Sequence, residues 1–305
     1  PGELHFNSGG PDAWKRLKEE AAKTAGAHTI IINGEITATG GDNAGEITLG
    51  RNLTIKGKTG AGPDILNANK TTGGKTAHRI FKVEAGKTLT LKHLTLTGGI
   101  VDTSGEPGGG AIYTEGTLSM TDCTVTDNEA EYGNGGGIYA EGDLTMTSCT
   151  VSNNTVSDNS GGSGGGIYIH VTGTHTMTNC TVTSNEAKYS NGGGIYAMGT
   201  LRMMNCTVTG NKSQSSGTGN GSGGGIYTAG SLTMTGGSVT GNEAQSNGNG
   251  GGIYIGGTGS FTMTGGTVNN NKTAYGDGGG IYIAGTGGFT MTGGSLTGNE
   301  AVNNS

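Results

Sequence analysis

The sequence predicts an all-β protein that folds as a right-handed, single-stranded parallel β-helix, with about three strands per coil and a short N-terminal capping helix. Three observations lead to this prediction. A unit of about 28 residues recurs along most of the chain. Within it, apolar and polar residues alternate with a period of two, as in strands with one buried face. Glycine supplies 67 of 305 residues and proline only 4, without a three-residue period, which favours a turn-rich solenoid over collagen or an ordinary globular core.

The repeat is marked first by the string Gly-Gly-Ile-Tyr. It occurs six times, and a Gly-Ala-Ile-Tyr variant that begins at Gly110 precedes the six. Successive isoleucines are separated by 26, 29, 28, 31, 27 and 28 residues, so the unit tolerates small insertions, which we expect in loops. The tyrosines of these strings are Tyr113, Tyr139, Tyr168, Tyr196, Tyr227, Tyr254 and Tyr282.

A block of constant length follows each string. A methionine comes 8 or 10 residues after the isoleucine, a valine or leucine five residues later, and an asparagine three residues after that, in every unit. Asparagine can pass side-chain amide hydrogen bonds along a column, and it tolerates the left-handed backbone that a corner needs. We therefore expect a structural ladder of asparagines: Asn128, Asn154, Asn185, Asn211, Asn242, Asn271 and Asn299.

The chain divides into three regions. Residues 1–28 are expected to form an N-terminal cap with a short helix, and residues 29–107 the first, irregular coils of the β-helix. Residues 108–305 contain seven repeats of about 28 residues. Each coil advances about 4.8 Å, one strand spacing, so about ten coils would give a rod of roughly 50 Å.

The two ends of the chain differ in character. Residues 11–25 form an amphipathic helical pattern, with Trp14 and Leu17 on one face, Asp12 as N-cap and Gly26 as C-cap, and this helix is expected to cover the first open edge. At the other end the chain stops where another glycine-rich run would begin. Either the natural protein continues with more coils or an anchor, or the bare edge accepts the next molecule and builds a filament by strand addition.

The Gly-Gly-Ile-Tyr and Val-Thr-X-Asn motifs resemble the paired Gly-Gly-Ala-Ile/Leu/Val and Phe-X-X-Asn repeats of the polymorphic outer membrane proteins of chlamydiae. They also resemble those of related β-helix surface proteins of other bacteria. The resemblance covers residues 108–305, and the lead-in at residues 78–83 is also typical of such proteins. It implies a pectin-lyase-like fold, export to the cell surface as an autotransporter passenger, and adhesion. The chain departs from that pattern because valine or leucine stands where the family has phenylalanine.

The four cysteines occupy one position in four consecutive units, three residues after methionine, and are expected to point inward and stack: Cys123, Cys149, Cys180 and Cys206. Two states are open. One is a reduced, packed ladder; the other has the disulfides Cys123–Cys149 and Cys180–Cys206, because adjacent coils place Cα atoms about 4.8 Å apart, within disulfide range. No CxxC motif or Cys/His cluster is present, so no metal site is predicted.

If the isoleucines point inward, the tyrosines that follow them form a continuous external column. Such an aromatic stripe suits sugar rings or a protein partner, although stacked tyrosines can also serve only to stabilise the sheet. Thr-X-Thr pairs on the next strand resemble the arrays of ice-binding solenoids, but Arg202 and Met204 interrupt them.

The charge distribution argues against nucleic acid as a partner. The net charge of −6 combines +4 in residues 1–100 (13 Lys/Arg against 9 Asp/Glu) with −10 in residues 101–305 (4 against 14), so the repeats would repel phosphate. No apolar run has the length of a membrane span, and no direct membrane insertion is expected. The chain begins at Pro1 without methionine, so either a signal peptide has been removed or the chain is an excised piece. We expect an exported protein, extracellular or on the outer cell surface.

Carbohydrate lyases and hydrolases also use the β-helix fold, but they need clustered carboxylates and a base. Here the acidic residues look scattered, and His170 and His175, which have no third partner, are expected to face solvent. We therefore predict no catalytic residues, no cofactor and no enzymatic activity. The predicted function is a structural or adhesive surface module that binds a protein or glycan of a host or neighbouring cell; a self-assembling filament subunit is the alternative, and a carbohydrate-active enzyme the third hypothesis.

Overall fold

A computed structural model describes residues 2–10, 12–58, 62–70, 77–158, 161–171, 173–215 and 221–302. The chain winds through about ten coils, and every strand pairs in parallel with the equivalent strand of the neighbouring coils. The predicted right-handed parallel β-helix with one short N-terminal helix is confirmed.

Four sheets run along the rod. Sheet 1 contains the Ile-Tyr strands: Ile47–Thr48, Phe81–Val83, Ile112–Thr114, Ile138–Ala140, Ile167–Ile169, Ile195–Ala197, Ile226–Thr228, Ile253–Ile255 and Ile281–Ile283. Sheet 2 contains the methionine strands and their N-terminal equivalents: Glu3–Asn7, Thr29–Asn33, Leu53–Gly57, Thr88–Lys92, Thr117–Thr121, Leu144–Thr147, Thr174–Thr178, Thr200–Met204, Leu232–Thr235, Phe261–Met263 and Phe289–Met291.

Sheet 3 contains the Thr-Val-Thr strands and their equivalents: Glu35–Thr37, Ile65–Asn67, Thr95–Thr97, Thr124–Thr126, Thr150–Ser152, Thr181–Thr183, Thr207–Thr209, Ser238–Thr240, Thr267–Asn269 and Ser295–Thr297. Sheet 4 consists of two-residue strands: Ile100–Val101, Glu129–Ala130, Thr155–Val156, Glu186–Ala187, Lys212–Ser213, Glu243–Ala244, Lys272–Thr273 and Glu300–Ala301. A regular coil therefore has four strands, where the sequence predicted about three. The fourth strand was not predicted from the sequence because its two residues are too few to show an alternation of apolar and polar side chains.

Like residues stack on like residues inside the rod. Met146 pairs in register with Met177 and Val151 with Val182, and all four side chains are fully buried. Burying one such side chain contributes about 1.5–3 kcal/mol. Because a single coil has no core of its own, each coil depends on its neighbours for this burial.

The asparagine ladder is present as predicted. The side-chain amide of Asn185 donates to the Val151 carbonyl at 3.0 Å and to Asn211 Oδ1 at 2.9 Å, and its backbone N–H donates to the same Oδ1 at 3.0 Å. The left-handed backbone, however, falls on the preceding residue, since Ser184 has φ 55° and Asn153 has φ 55°. The asparagines thus satisfy the buried corner, and their predecessors make the turn.

The glycine runs lie where coils approach most closely. A Cβ on Gly193 would stand 2.3 Å from the backbone carbonyl carbon of Lys212 and 2.4 Å from the Gly224 oxygen. No side chain fits at such distances, so this corner requires glycine.

The N-terminal end is covered by the helix Ala13–Ala22, shorter than the predicted pattern. Its buried face carries Trp14 and Leu17, and the Trp14 indole donates to the Gly45 carbonyl at 2.8 Å. Asp12 is the N-cap, but it has a left-handed backbone and makes no side-chain capping bond, and the C-cap is Lys23 rather than Gly26.

Arg51 joins this helix to the first coils. Its guanidinium forms a 3.0 Å ion pair with Glu20 and donates to the Glu20 and Lys23 carbonyls at the end of the helix. Before the helix, the strand Glu3–Asn7 extends sheet 2 by one strand. At the other end, the last described coil exposes 38–40% of the surfaces of Phe289, Met291 and Leu296.

Candidate functional site

A column of tyrosines runs along the outer face of sheet 1. Each ring follows an isoleucine that points into the core, and each pairs in register with the next, as Tyr196 does with Tyr227. Neighbouring ring centroids are 4.6–5.4 Å apart throughout the column, within the range of favourable aromatic stacking. The seven predicted tyrosines therefore form one continuous stack.

The column divides into two halves with different exposure. The covered half is Tyr113, Tyr139 and Tyr168, of which only 6–9% is exposed. The open half, whose rings are half-buried, is Tyr196, Tyr227, Tyr254 and Tyr282. The residue two positions after each tyrosine is long in the first four coils and small in the last three: Glu115, Glu141, His170, Met198, Ala229, Gly256 and Ala284. A covered tyrosine has a long residue at this position both in its own coil and in the next coil, as the Met198 Sδ atom lies 3.9 Å from the Tyr168 hydroxyl. Tyr196 has Met198 in its own coil but Ala229 in the next coil, and the later tyrosines have small residues in both.

Three glutamates, here called the acid column, stack beside the covered half: Glu84, Glu115 and Glu141. The backbone N–H groups of Glu115 and Glu141 donate to carbonyls of the preceding coil at 2.8 and 2.7 Å, which fixes the three residues at one position of successive coils. One coil advances about 4.8 Å. His170 occupies the next position, with Nδ1 3.8 Å from Glu141 Oε1.

Covered tyrosines donate hydrogen bonds to two of these carboxylates. Tyr113 donates to Glu115 at 2.9 Å and Tyr139 to Glu141 at 3.0 Å. Burial and the Glu115 carboxylate raise the pKa of Tyr113, so its hydroxyl remains a donor at physiological pH. These hydroxyls hold the carboxylates at the rim of the tyrosine column.

The outward charges of sheet 4 follow a different pattern. They alternate in sign from coil to coil, in register: Glu186, Lys212, Glu243, Lys272 and Glu300. Opposite charges on neighbouring strands stabilise a sheet, whereas like charges directly opposite destabilise it. These residues therefore form an ordered and electrostatically balanced row along sheet 4.

Two residues of the acid column, Glu115 and Glu141, border a groove of about 460 Å³ at the corner between sheets 1 and 2. Glu115, Glu141 and Asp143 line it together with backbone of successive coils. Lys87 also lines the groove, but its ammonium donates to the Gly50 carbonyl at 2.9 Å. The groove is therefore predominantly acidic.

His175 lies behind this groove and does not face solvent, which corrects the prediction. It occupies the position that leucine holds in the next coil, pairs in register with Leu201, and is fully buried. Neither ring nitrogen has a hydrogen-bond partner among the described residues. Burial lowers the pKa of His175, against smaller opposing effects of the Val171 carbonyl and the Asp143 carboxylate, so the ring is neutral. His170, by contrast, is exposed as predicted.

The four cysteines line the core next to the corner between sheets 2 and 3, and all are buried and free. The Cys149 thiol donates to the Thr147 carbonyl at 3.2 Å, and the Cys180 backbone N–H donates to Cys206 Sγ at 3.4 Å. Contacts with the Cys123 and Cys180 thiols, together with burial, raise the pKa of Cys149. The thiols are thus core groups with no solvent access.

Two absences apply to the part of the chain that the structure describes. There, no group of three or more His, Cys, Asp or Glu side chains converges in a way that could hold a metal ion. Nor does that part contain a helix of the length and apolarity required to cross a bilayer.

Sequence reasoning found the tyrosine column but missed the groove. The sequence signal was present at the position two residues after each tyrosine. Glutamate stands there after Tyr113 and Tyr139, and also after Lys82, the residue that pairs with Tyr113 in the preceding coil. It was overlooked because that position lies outside the alternating strand pattern.

The fold and its stacked columns define a parallel β-helix solenoid. The profile of the family described as right-handed β-helix region matches residues 42–213 and 112–305, and the chain belongs to this family. A search of curated proteins and a search of solved structures each found no significant match.

Proposed function

We propose that the chain is a non-catalytic structural and adhesive module of a bacterial surface or secreted protein, which binds a glycan or protein of a host or neighbouring cell. The observation that carries this proposal is the open half of the tyrosine column, four half-buried rings aligned on the outside of the rod. The resemblance of the repeats to those of polymorphic outer membrane proteins supports the same assignment.

The physical properties of the open half suit recognition. Tyrosine presents a large, rigid, amphipathic surface, and stacking in register holds the rings in place before a ligand arrives, which reduces the entropy lost on binding. Burial and the neighbouring tyrosines raise the pKa of Tyr227 to about 12, so its hydroxyl is neutral and able to hydrogen-bond over the physiological pH range. Met198 follows the first of these rings, and small residues such as Ala229 and Gly256 follow the others.

The test is a screen of the purified chain against a glycan panel and against intact cells, followed by variants at the open half. We expect Tyr227→Ala with Tyr254→Ala to reduce binding at least about tenfold, because an anchoring aromatic contributes about 2 kcal/mol or more. The control is Thr209→Ala with Thr240→Ala, which removes exposed-side hydroxyls of sheet 3. Equal binding by the tyrosine variant and the unaltered chain would contradict the proposal, as would cleavage of any polysaccharide in the panel.

Self-association is a second candidate function. It is favoured by the exposed apolar surface of Phe289, Met291 and Leu296 and by the unpaired strand edges of the last described coil. Sedimentation velocity of the chain and of Phe289→Lys distinguishes the two cases. Concentration-dependent growth that the lysine abolishes supports assembly, and a monomer at all concentrations excludes it.

A further inference from the structure

We propose that the N-terminal cap is an acid-sensitive latch, in which protonation of His78 loosens the helix Ala13–Ala22 from the first coils. The latch is separate from the adhesive function proposed above, because it lies at the N-terminal end of the rod and does not involve the open half of the tyrosine column. It controls access to strand edges, since the helix lies against Glu35–Thr37 and Ile47–Thr48, the first strands of sheets 3 and 1. Unpaired strand edges can pair with another chain, so loosening of the cap opens this end of the rod to association.

His78 lies between the cap and the coils. Its ring contacts the Trp14 indole, with the two ring centroids 5.4 Å apart and the ring planes inclined by 55°. Trp14 is fully buried on the inner face of the helix, and its indole N–H donates to the Gly45 carbonyl at 2.8 Å. A change in the charge of His78 therefore acts directly on the residue that fixes this end of the helix to the coils.

The hydrogen bonds of His78 suit a neutral ring. Nδ1 lies 2.7 Å from the Arg79 carbonyl oxygen, which can only accept, so Nδ1 carries the hydrogen of the neutral imidazole. Nε2 is buried and has no hydrogen-bond partner among the described residues. Protonation adds a donor at Nε2 that no acceptor in this part of the structure satisfies, and an unsatisfied buried donor costs free energy for as long as the helix stays docked on the coils.

The surrounding charges also oppose a cation at this position. The charged groups that act on the ring or line the groove beside it are one ammonium, one guanidinium and three carboxylates: Lys18, Arg79, Glu46, Asp102 and Glu106. Lys18, on the helix, repels a positive charge on His78, and Arg79 already pairs with two of the carboxylates at 3.1 Å each. Burial and, to a smaller extent, Lys18 lower the pKa of His78, against the opposing effect of the Arg79 carbonyl.

Docking of the helix consequently depends on pH. Once the helix is loosened, His78 gains access to water and takes up a proton near its ordinary pKa of about 6.5. Because the docked state binds this proton less readily, it loses stability as the pH falls from about 6.5 towards the docked-state pKa. The hydrogen bond from Lys23 and the nearby Arg51 guanidinium lower the pKa of Glu20, so the ion pair at the other end of the helix persists in this range. Loosening therefore begins at the Trp14 end.

The experiment is hydrogen exchange of the full chain, measured by mass spectrometry at pH 7.5 and 5.5 and corrected for the intrinsic pH dependence of exchange. We expect the protection of residues 13–22 to fall at least about tenfold at the lower pH, the change that one unit of pKa difference produces. His78→Phe keeps an aromatic ring against Trp14 but cannot titrate, so the fall should shrink to less than about twofold. The matched control is His28→Phe, at an exposed histidine, which should keep the full fall.

A second variant keeps His78 and changes its surroundings. Lys18→Met removes the repelling ammonium, so the docked state accepts the proton more readily and the fall in protection should become smaller. Residues 226–240, far along the rod, report changes that do not concern the cap, and their protection should respond to pH equally in the unaltered chain and in His78→Phe. Equal protection of the helix at both pH values, an undiminished fall in His78→Phe, or a larger fall in Lys18→Met would each overturn the proposal.

Discussion

His175 offers the sharpest test of the energetics, because it interrupts the leucine and phenylalanine column of sheet 2. It pairs in register with Leu201, and its two ring nitrogens are buried without partners among the described residues. An unsatisfied buried polar group destabilises a protein by about 1–3 kcal/mol. We therefore expect His175→Leu to raise the free energy of unfolding by about 2 kcal/mol at pH 7.5.

The gain should grow as the pH falls. Burial lowers the pKa of His175 below the ordinary value of about 6.5, so the unfolded chain takes up the proton first and stability falls as the pH drops from about 6.5 towards the folded-state value. The leucine variant lacks this contribution. His78, whose pKa burial also lowers, supplies the same residual pH dependence to both proteins.

The assay is the midpoint of urea unfolding, followed by far-ultraviolet circular dichroism at pH 7.5 and 5.5. His28→Leu, at an exposed histidine, is the control and should give no comparable gain. A leucine variant less stable than the unaltered chain would refute the reasoning, as would a gain of equal size at both pH values.

Three further predictions concern the stacked columns. Asn185→Ala should destabilise the protein by about 3 kcal/mol in urea unfolding, because it leaves two buried donors of Asn154 without an acceptor and removes two amide bonds of its own. Asn299→Ala also leaves two donors of Asn271 without an acceptor, but Asn299 is only partly buried, so water can replace the lost bonds and the effect should be smaller. Gly193→Ala should lower the free energy of unfolding by about 3 kcal/mol in the same measurement, because the new Cβ would lie 2.3 Å from backbone atoms. Gly288→Ala is the control and should leave stability nearly unchanged, because no atom lies within 4 Å of its Cβ position. Equal losses of stability in the two variants would show that the coils do not approach closely at Gly193. The four buried thiols should not react with a thiol reagent in the native protein and should all react in urea, so rapid labelling of the native chain would contradict the packed ladder.

The solenoid was predictable because its signal is redundant. Isoleucine, methionine, valine and asparagine recur at linked spacings, and each position has one physical reason to be buried or to bond. The asparagine ladder followed from the one block whose length never changes. The positive φ of the residue before each ladder asparagine could not be predicted, because that residue varies among aspartate, serine, asparagine and glycine.

The functional surfaces were harder to predict because they depend on neighbouring columns. Tyrosine exposure is set by residues two positions further on, whose effect appears only when coils are stacked. His175 sits two residues before Met177, as Leu144 does before Met146, yet the longer spacing from isoleucine to methionine in its coil concealed the equivalence. Its burial is a tertiary property that no local pattern of charge or alternation reveals.

The orientation of the backbone hydrogen bonds has a mechanical consequence. In all four sheets they run along the rod axis, so tension applied to the two ends loads the interfaces between coils in series, while the bonds within one interface share the force. Under tension such a rod is expected to separate first at its weakest interface between coils. It would then unfold one coil at a time, and each unfolded coil would add about 28 residues of extended chain. A tether built in this way absorbs a sudden pull through successive small ruptures while the rest of the stack stays intact.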